Sequence, residues 1–257
     1  MIIVVDVGNS SINIGYFAEK GLVVQKIDTY PPKSAEEYGR IMSHFRSRNH
    51  LEKKPFSVII STVVPGYAAL LGEAFRRLSR KEDLTILTVS SKMKSGLNFK
   101  IGRLEGLGTD RIANAVAAWE LYKGPVAVID FGTATTITVV GADADFIGGA
   151  IMPGLGLMND VLDQRTSKLS RVSLDVPVTA LGKDTAGCML SGLFYGTAGA
   201  VERILCEIER ETGTKLKVVV TGGYGPVIEK LLKKPHEVHP HLTLEGLRIL
   251  YEKNSPE

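Results

Sequence analysis

Apolar positions along the chain fall into short runs of two periods. Ile2 to Val5 is wholly apolar and rich in β-branched residues, which predicts a buried strand running into Asp6. Ile12-Asn13-Ile14-Gly15-Tyr16 alternates apolar and polar positions and predicts a second strand; Leu22 to Ile27 predicts a third, after a turn at Gly21. A helix is predicted from about Ser34 to Leu51, with Ser34 and Glu37 as a capping box at its start. Val58-Ile59-Ile60 predicts another buried strand, Tyr67 to Leu78 a helix after the Pro65-Gly66 break, and Leu84 to Val89 a further strand.

The same order then returns. Val126 to Ile129 predicts a buried strand running into Asp130, followed by strands at Thr136 to Val140 and Asp145 to Ile151. Helices are predicted at Leu157 to Lys168 and Thr185 to Thr212, a strand at Lys217 to Val220, a short helix at Pro226 to Lys233, and a last helix near Leu244 capped by Thr243. The residues repeat as well: Val5-Asp6-Val7-Gly8-Asn9-Ser10 matches Ile129-Asp130-Phe131-Gly132-Thr133-Ala134, with the two aspartates 124 residues apart. A strand-strand-strand-helix-strand-helix order met twice predicts an α/β protein with a duplicated domain, residues 1–122 and 123–257.

Composition narrows the function classes. Hydrophobic residues at 44% supply a core, and a net charge of only +3 with scattered Lys and Arg argues against a nucleic-acid surface. The densest basic pairs, Lys53-Lys54, Arg76-Arg77 and Lys233-Lys234, sit at the ends of helix-like stretches, where cations suit the helix dipole. Cys188 and Cys206 form no C-x-x-C pair, so neither a disulfide framework nor a thiolate metal site is expected. The start of the chain lacks the basic and apolar regions of a signal peptide, and no apolar run approaches the ~20 residues of a membrane span; a cytoplasmic protein without membrane contact is the expectation.

The chemistry concentrates in the two Asp-x-Gly turns. Each follows a buried strand that fixes its aspartate, each has glycine two residues on so that a phosphate can approach the backbone, and each then offers small polar residues. These are Asn9, Ser10 and Ser11 in the first turn and Thr133, Thr135 and Thr136 in the second. Alone, Asp-x-Gly is an ordinary hairpin turn. Two copies at one point of a repeated fold predict a polyphosphate gripped from both sides by hydroxyls and backbone N–H groups. A Walker loop is missing, so this is not a P-loop protein, and no G-x-G-x-x-G follows a strand, so a dinucleotide site is unsupported. Thr221-Gly222-Gly223 reads either as a plain strand-to-helix turn or as a flat surface for an adenine or ribose. Asp110 opens a helix in Gly108-Thr109-Asp110-Arg111, either as a partner of the helix dipole or as the group that takes a proton from an attacking hydroxyl, with Arg111 holding a polar substrate. Lys183-Asp184-Thr185 reads either as a cap or as a hydroxyl contact to substrate. His236, His239 and His241 lack the carboxylate or cysteine partners of a metal site apart from Glu237.

Twin Asp-x-Gly turns with a late Thr-Gly-Gly resemble the acetate kinase/sugar kinase/Hsp70/actin superfamily. Within it the chain looks like a type III pantothenate kinase. The likeness runs through Asp6-Val-Gly-Asn-Ser, Gly108-Thr-Asp-Arg, Asp130-Phe-Gly-Thr-Ala-Thr, Gly148-Gly-Ala-Ile-Met-Pro-Gly, Arg165-Thr-Ser-Lys-Leu, Gly182-Lys-Asp-Thr and Leu242-Thr-Leu-Glu-Gly-Leu. The resemblance implies two ribonuclease H-like domains of the actin/hexokinase type, each a mixed five-stranded sheet with flanking helices. It implies phosphorylation of pantothenate by ATP to 4′-phosphopantothenate, the first step toward coenzyme A. It implies that Asp6, Val7, Gly8, Asn9, Ser10, Ser11, Ile12 and Asn13 line the ATP phosphates together with Thr133, and that Asp110 accepts the proton. It places pantothenate on Gly108, Thr109, Asp110, Arg111 and Thr185, and a potassium or ammonium ion on Asp130. Magnesium beside the phosphates and a homodimer that completes the substrate site are further implications. Where the family usually carries Tyr-Asp-Asn-Pro, this chain has Ile101-Gly102-Arg103-Leu104, so position 101 offers substrate no aromatic ring; Thr109 stands where Ala is usual. The Ile101 departure keeps open a kinase for another small hydroxyl acceptor, and a third reading is a nucleotide-binding regulator without catalysis.

Overall fold

The protein is described here from a computed structural model covering residues 1–52, 54–79, 84–175 and 178–255. Lys53 of the Lys53-Lys54 pair lies outside the described residues.

The first sheet has five strands, β1 (Ile2–Val7), β2 (Ser11–Ala18), β3 (Gly21–Asp28), β4 (Ser57–Thr62) and β5 (Ile86–Thr88), in the order β3-β2-β1-β4-β5. β1 runs antiparallel to β2 and parallel to β4, so Asp6 lies opposite Asn13 on one side and Ser61 on the other. The β-branched run of β1 is buried on both faces, as an inner strand requires. Ile3, Val5 and Val7 join Val58, Ile60, Tyr38, Met42, Leu71 and Phe75 in one core, packing the sheet against α1 (Ala35–Arg48) and α2 (Tyr67–Leu78). The capping box starts α1 as predicted: Ser34 Oγ accepts from the Glu37 amide at 3.2 Å, and the Ser34 amide donates to Glu37 at 2.8 Å. The opposite face of β1 carries Val4 and Asp6, since side chains alternate along a strand. There Gly15 lets α7 (Leu242–Asn254) come close, because a Cβ at residue 15 would stand 2.9 Å from Val4 and 3.3 Å from Leu244.

The second sheet repeats this order as β9 (Asp145–Pro153), β8 (Ala134–Val140), β7 (Val126–Phe131), β10 (Lys217–Thr221) and β11 (Glu237–Val238). Six strands form it where five were expected, because β6 (Asn98–Phe99) adds itself parallel to β9 at the edge. The two-residue β6 was invisible to periodicity, as a pair of residues carries no period. Ile129, Phe131, Ile137, Val139, Val218 and Val220 pack against Leu190, Phe194, Val201 and Leu205 of α5 (Thr185–Thr212), whose 28 residues close on Gly213 in the left-handed conformation. α4 (Leu155–Arg165) precedes α5, and α6 (Gly225–Ile228) with a 3₁₀ turn at Glu229–Leu231 replaces the single helix predicted from Pro226 to Lys233.

Two compact units emerge, and neither is one stretch of chain. Residues 1–97, 102–117 and 243–257 form the first; residues 98–101 and 118–242 form the second. The boundary at 122/123 therefore marks the repeat of strand order, whereas α7 packs with the first unit. α3 (Thr109–Tyr122) contributes residues to both. Thr243 was expected to cap the last helix, yet it lies inside α7 and donates from Oγ1 to Asn114 Oδ1 of α3 at 2.8 Å. Gly246 lets these helices come close, since a Cβ there would overlap the Ala113 carbonyl. Among the described residues no helix is long and apolar enough to cross a membrane.

Candidate functional site

In the first unit, β1 delivers Asp6 to the turn at residues 8–10, which hydrogen bonds hold shut. The Gly8 amide donates to Ser11 O at 2.9 Å, Thr29 Oγ1 donates to Gly8 O at 2.7 Å, and the Thr29 amide donates to Ser10 O at 3.2 Å. Asn9 and Ser10 are exposed at its tip; Asn13 reaches Ser11 Oγ at 3.5 Å. Val7 and Ile12 are fully buried in the core, so from these two positions only backbone atoms can meet a phosphate. The result is a tight loop with small polar residues outward, the arrangement of an anion nest.

α3 begins beside this turn, in the same unit. Ser61 is completely buried, and its hydroxyl lies 3.3 Å from Asp6 Oδ1 and 2.8 Å from Thr109 Oγ1. Thr109 also reaches Thr62 O at 3.4 Å, so its hydroxyl is engaged by β4. Asp110, the next residue, curls its carboxylate back: Oδ1 accepts from the Arg111 amide at 2.8 Å and occupies the space a Cβ at residue 108 would fill. Gly108 is what makes that position available to the carboxylate. Burial pulls the Arg111 guanidinium below its ordinary value, and Asp110 pulls it back up; an arginine in such surroundings stays protonated. Sequence patterns missed Ser61. The signal existed, because Val58-Ile-Ile-Ser61-Thr62 occupies the place in the first repeat that Val218-Val-Val-Thr221-Gly222 occupies in the second.

In the second unit, Asp130 of β7 lies opposite Thr136 of β8 and Thr221 of β10, the register that Asp6 has with Asn13 and Ser61. Two glycines crowd its carboxylate. A Cβ at Gly132 would stand 3.4 Å from Asp130 Oδ1, and one at Gly222, whose φ is +91°, would overlap it. The turn is held by the Gly132 amide donating to Ala134 O at 3.1 Å and the Tyr224 amide donating to Phe131 O at 3.0 Å. The Gly154 amide donates to Thr133 O at 3.0 Å, and a Cβ at residue 154 would stand 2.8 Å from the Thr133 carbonyl carbon. This explains the glycine that ends Gly148-Gly-Ala-Ile-Met-Pro-Gly: the start of α4 lies directly on the second turn.

The remaining candidates divide. Asp184 caps α5 by accepting from the Gly187 amide at 2.7 Å, and Thr185 follows it, exposed at the helix start. Ile101 is half-buried in the second unit, its Cγ2 4.0 Å from where a Cβ on Gly148 would stand. His239 and Glu237 gather on Tyr122, whose hydroxyl donates to Glu237 Oε2 at 2.7 Å and lies 3.3 Å from His239 Nε2. Among the described residues no three histidines, cysteines or carboxylates converge as a metal cluster. That donor set still fits magnesium, which binds by one or two carboxylates and completes its shell with substrate phosphates and water. Asp6 at the mouth of an anion nest is such a carboxylate.

Comparison with known proteins bears on this geometry. The family model for type III pantothenate kinase matches residues 2–207. A type III pantothenate kinase of Moorella thermoacetica is 38% identical over 99% of this chain and 100% of its own length. Among solved structures, one described as a Baf family transcriptional activator of Campylobacter jejuni superposes with a TM-score of 0.60 at 19% identity, covering 98% of each chain. An inorganic polyphosphate/ATP-glucomannokinase of Arthrobacter superposes with a TM-score of 0.50 at 15% identity, over 96% of each chain. Both structural likenesses speak to fold alone, and the fold is the duplicated ribonuclease H-like fold of the actin/hexokinase type.

Proposed function

The chain belongs to the type III pantothenate kinase family and so phosphorylates pantothenate with ATP and a divalent metal ion at the start of coenzyme A synthesis; from that premise we propose which residues do the work. Asp6, Gly8, Asn9, Ser10, Ser11 and Asn13, with the backbone of Val7 and Ile12, hold the ATP phosphates, and Thr133 touches ATP as well. Asp110 takes the proton from the pantothenate hydroxyl. Gly108, Thr109, Arg111, Thr185 and Ile101 border the pantothenate, Thr109 through its backbone, because Ser61 engages its hydroxyl. The observation that carries this assignment is the Asp6–Ser61–Thr109 chain, which ties the first phosphate turn to the helix start bearing Asp110.

The chemistry follows from the placement. Phosphoryl transfer asks for charge neutralisation at the phosphates, a positioned acceptor and a base. A divalent ion held by Asp6 would supply the neutralisation. The turn amides and hydroxyls orient the phosphates, and the Arg111 cation offers a partner to the pantothenate carboxylate. Asp110, with one oxygen held by the Arg111 amide, keeps the other for the proton.

Asp130 binds the monovalent cation, potassium or ammonium. Its carboxylate, with glycines at 132 and 222, fits a hard cation that needs close oxygen approach. The test is ADP release with ATP, magnesium and pantothenate, in potassium and then in sodium alone. The expected result is pantothenate-dependent release that falls at least tenfold in sodium, an order-of-magnitude figure for one lost charge contact in the transition state, and an Asp130→Asn variant indifferent to the exchange. Release only with another hydroxyl acceptor would move the specificity, with Ile101→Tyr the first substitution to make. Nucleotide binding without release under any acceptor would favour the regulator.

Two copies pair through the second unit, and the pair works in the cytoplasm. The exposed face of β9 carries Ile147 and Ile151, and α4 exposes Leu157 and Val161 one turn apart. Ile151, at 64%, is the most exposed of the four, and exposed apolar groups gathered in one region mark an interaction surface. Ile151→Asp is expected to halve the mass seen by sedimentation equilibrium; an unchanged mass would move the interface elsewhere. Cys188 and Cys206, free and exposed, suit a reducing compartment.

A further inference from the structure

We propose that Ser61 is a positioning residue for phosphoryl transfer: its buried hydroxyl sets the Asp6 carboxylate and the first turn of the Asp110 helix in one frame. The inference rests on the assignment of Asp6 to the metal-nucleotide and of Asp110 to the base made above.

Four observations carry it. Ser61 has no exposed surface, so its hydroxyl has no water to turn to and its bonds are those of the protein. Its two neighbours are Asp6 Oδ1 at 3.3 Å and Thr109 Oγ1 at 2.8 Å. A hydroxyl has one proton and an ionised carboxylate only accepts, so with Ser61 donating to Asp6 the Thr109 proton goes to Ser61 at 2.8 Å in preference to the Thr62 carbonyl at 3.4 Å. Ser61 donates to Asp6, and Thr109 donates to Ser61. The bond to Asp6 is therefore charge-assisted, and the bond from Thr109 strengthens it by polarising the donor. Finally, Ser61 lies opposite Asp6 in strand register, and Thr221 lies opposite Asp130 in the same way, so the fold puts a hydroxyl residue beside its turn aspartate twice. A mere space-filler at residue 61 would not need to be polar in a core of Val58, Ile59 and Ile60.

The geometry also accounts for Thr109. An alanine there would leave Ser61 without its donor. In this chain the threonine completes a link from β1 through β4 to α3. Asp110 is the next residue, and a helix start pinned at Thr109 limits how far its carboxylate can wander. Positioning of this kind acts on the rate at saturation more than on acceptor affinity.

The test uses Ser61→Ala, Thr109→Ala, their double variant and Thr109→Ser. Two quantities are read: kcat with KM for pantothenate, and the affinity for ATP by calorimetry with and without magnesium, which needs no turnover. Ser61→Ala is expected to lower kcat about tenfold to a hundredfold, the range of a lost hydrogen bond to a charged group, with KM for pantothenate changed less than about threefold. It is also expected to lose most of the gain in ATP affinity that magnesium brings, while ATP alone binds as before. Thr109→Ala moves both readouts the same way by less, the double variant equals Ser61→Ala, and Thr109→Ser restores them. Additive effects in the double variant would overturn the proposal. So would a Ser61→Ala protein that melts earlier but keeps its kcat and its magnesium effect, because that is a packing role only. If Ser61→Ala does not fold, the Thr109→Ala and Thr109→Ser pair decides alone, and equal values for the two overturn it. Should pantothenate prove not to be the acceptor, the calorimetric arm still judges Ser61, so the two failures stay distinct.

Discussion

Asp110→Asn is expected to lower kcat by about three orders of magnitude, within the range for a lost general base, and to leave ATP affinity close to that of the unaltered protein. The reason lies in what the substitution keeps. The amide of asparagine is nearly the size of the carboxylate, so it fits the space left by Gly108 and still accepts from the Arg111 amide through its oxygen. The start of α3 and its link to Ser61 are untouched. What disappears is the capacity to take a proton from the attacking hydroxyl. The effect should fall on kcat and kcat/KM alike, as when a contact is made only in the transition state. Stopped-time ADP release beside calorimetric ATP binding checks both halves. A variant that kept a tenth or more of its rate would remove Asp110 from the role of base and leave it as a partner of the helix dipole.

Gly222→Ala should cripple the second turn from the other side. Residue 222 has a φ of +91°, where a side chain is strained, and its Cβ would overlap Asp130 Oδ1 and stand 2.6 Å from the backbone N and C of Phe131. Backbone on two sides leaves nothing flexible to yield. Overpacking of this kind costs about 1–3 kcal/mol, and the positive φ adds about 1–2 kcal/mol. The expected outcome is a melting temperature lower by several degrees and, at temperatures where the variant is still folded, an activity that no longer responds to potassium. Thermal melting followed by the potassium/sodium comparison measures each. Retained potassium activation would mean that Asp130 does not hold the cation.

The repeat was legible because it is written in local patterns. Val4 and Val5, buried in β1, and Val128 and Ile129, buried in β7, announce two inner strands, and Asp6 and Asp130 follow them in matching Asp-x-Gly turns, the first one residue longer than the second. Ser34 and Glu37 form the expected capping box because such a box needs only residues three apart. β6 was not legible: Asn98 and Phe99 become a strand only because the edge of β9 offers unpaired backbone groups. Thr243 looked like a cap for a similar reason. Threonine before a helical stretch is a local signal, but its hydroxyl is taken by Asn114, 129 residues away in the chain. The family resemblance also gave Val7 and Ile12 to ATP without saying that their side chains belong to the core.

By itself the amino-acid sequence determined the α/β class, the duplication, the two aspartate turns and the family, since periodicity, glycine placement and motif order are properties of neighbours along the chain. Only the tertiary structure decided how those pieces act on one another. It put Ser61 beside Asp6 through parallel pairing of β1 and β4, brought Thr109 to Ser61, folded Asp110 over Gly108, and closed Gly222 around Asp130. It also assigned α7 to the first unit rather than to the second half of the repeat. The physical reason is common to all of these. Strand register and helix docking are fixed by burying apolar faces made of residues far apart in the chain, and a hydroxyl or carboxylate carried on such a face acquires its partner only after that burial.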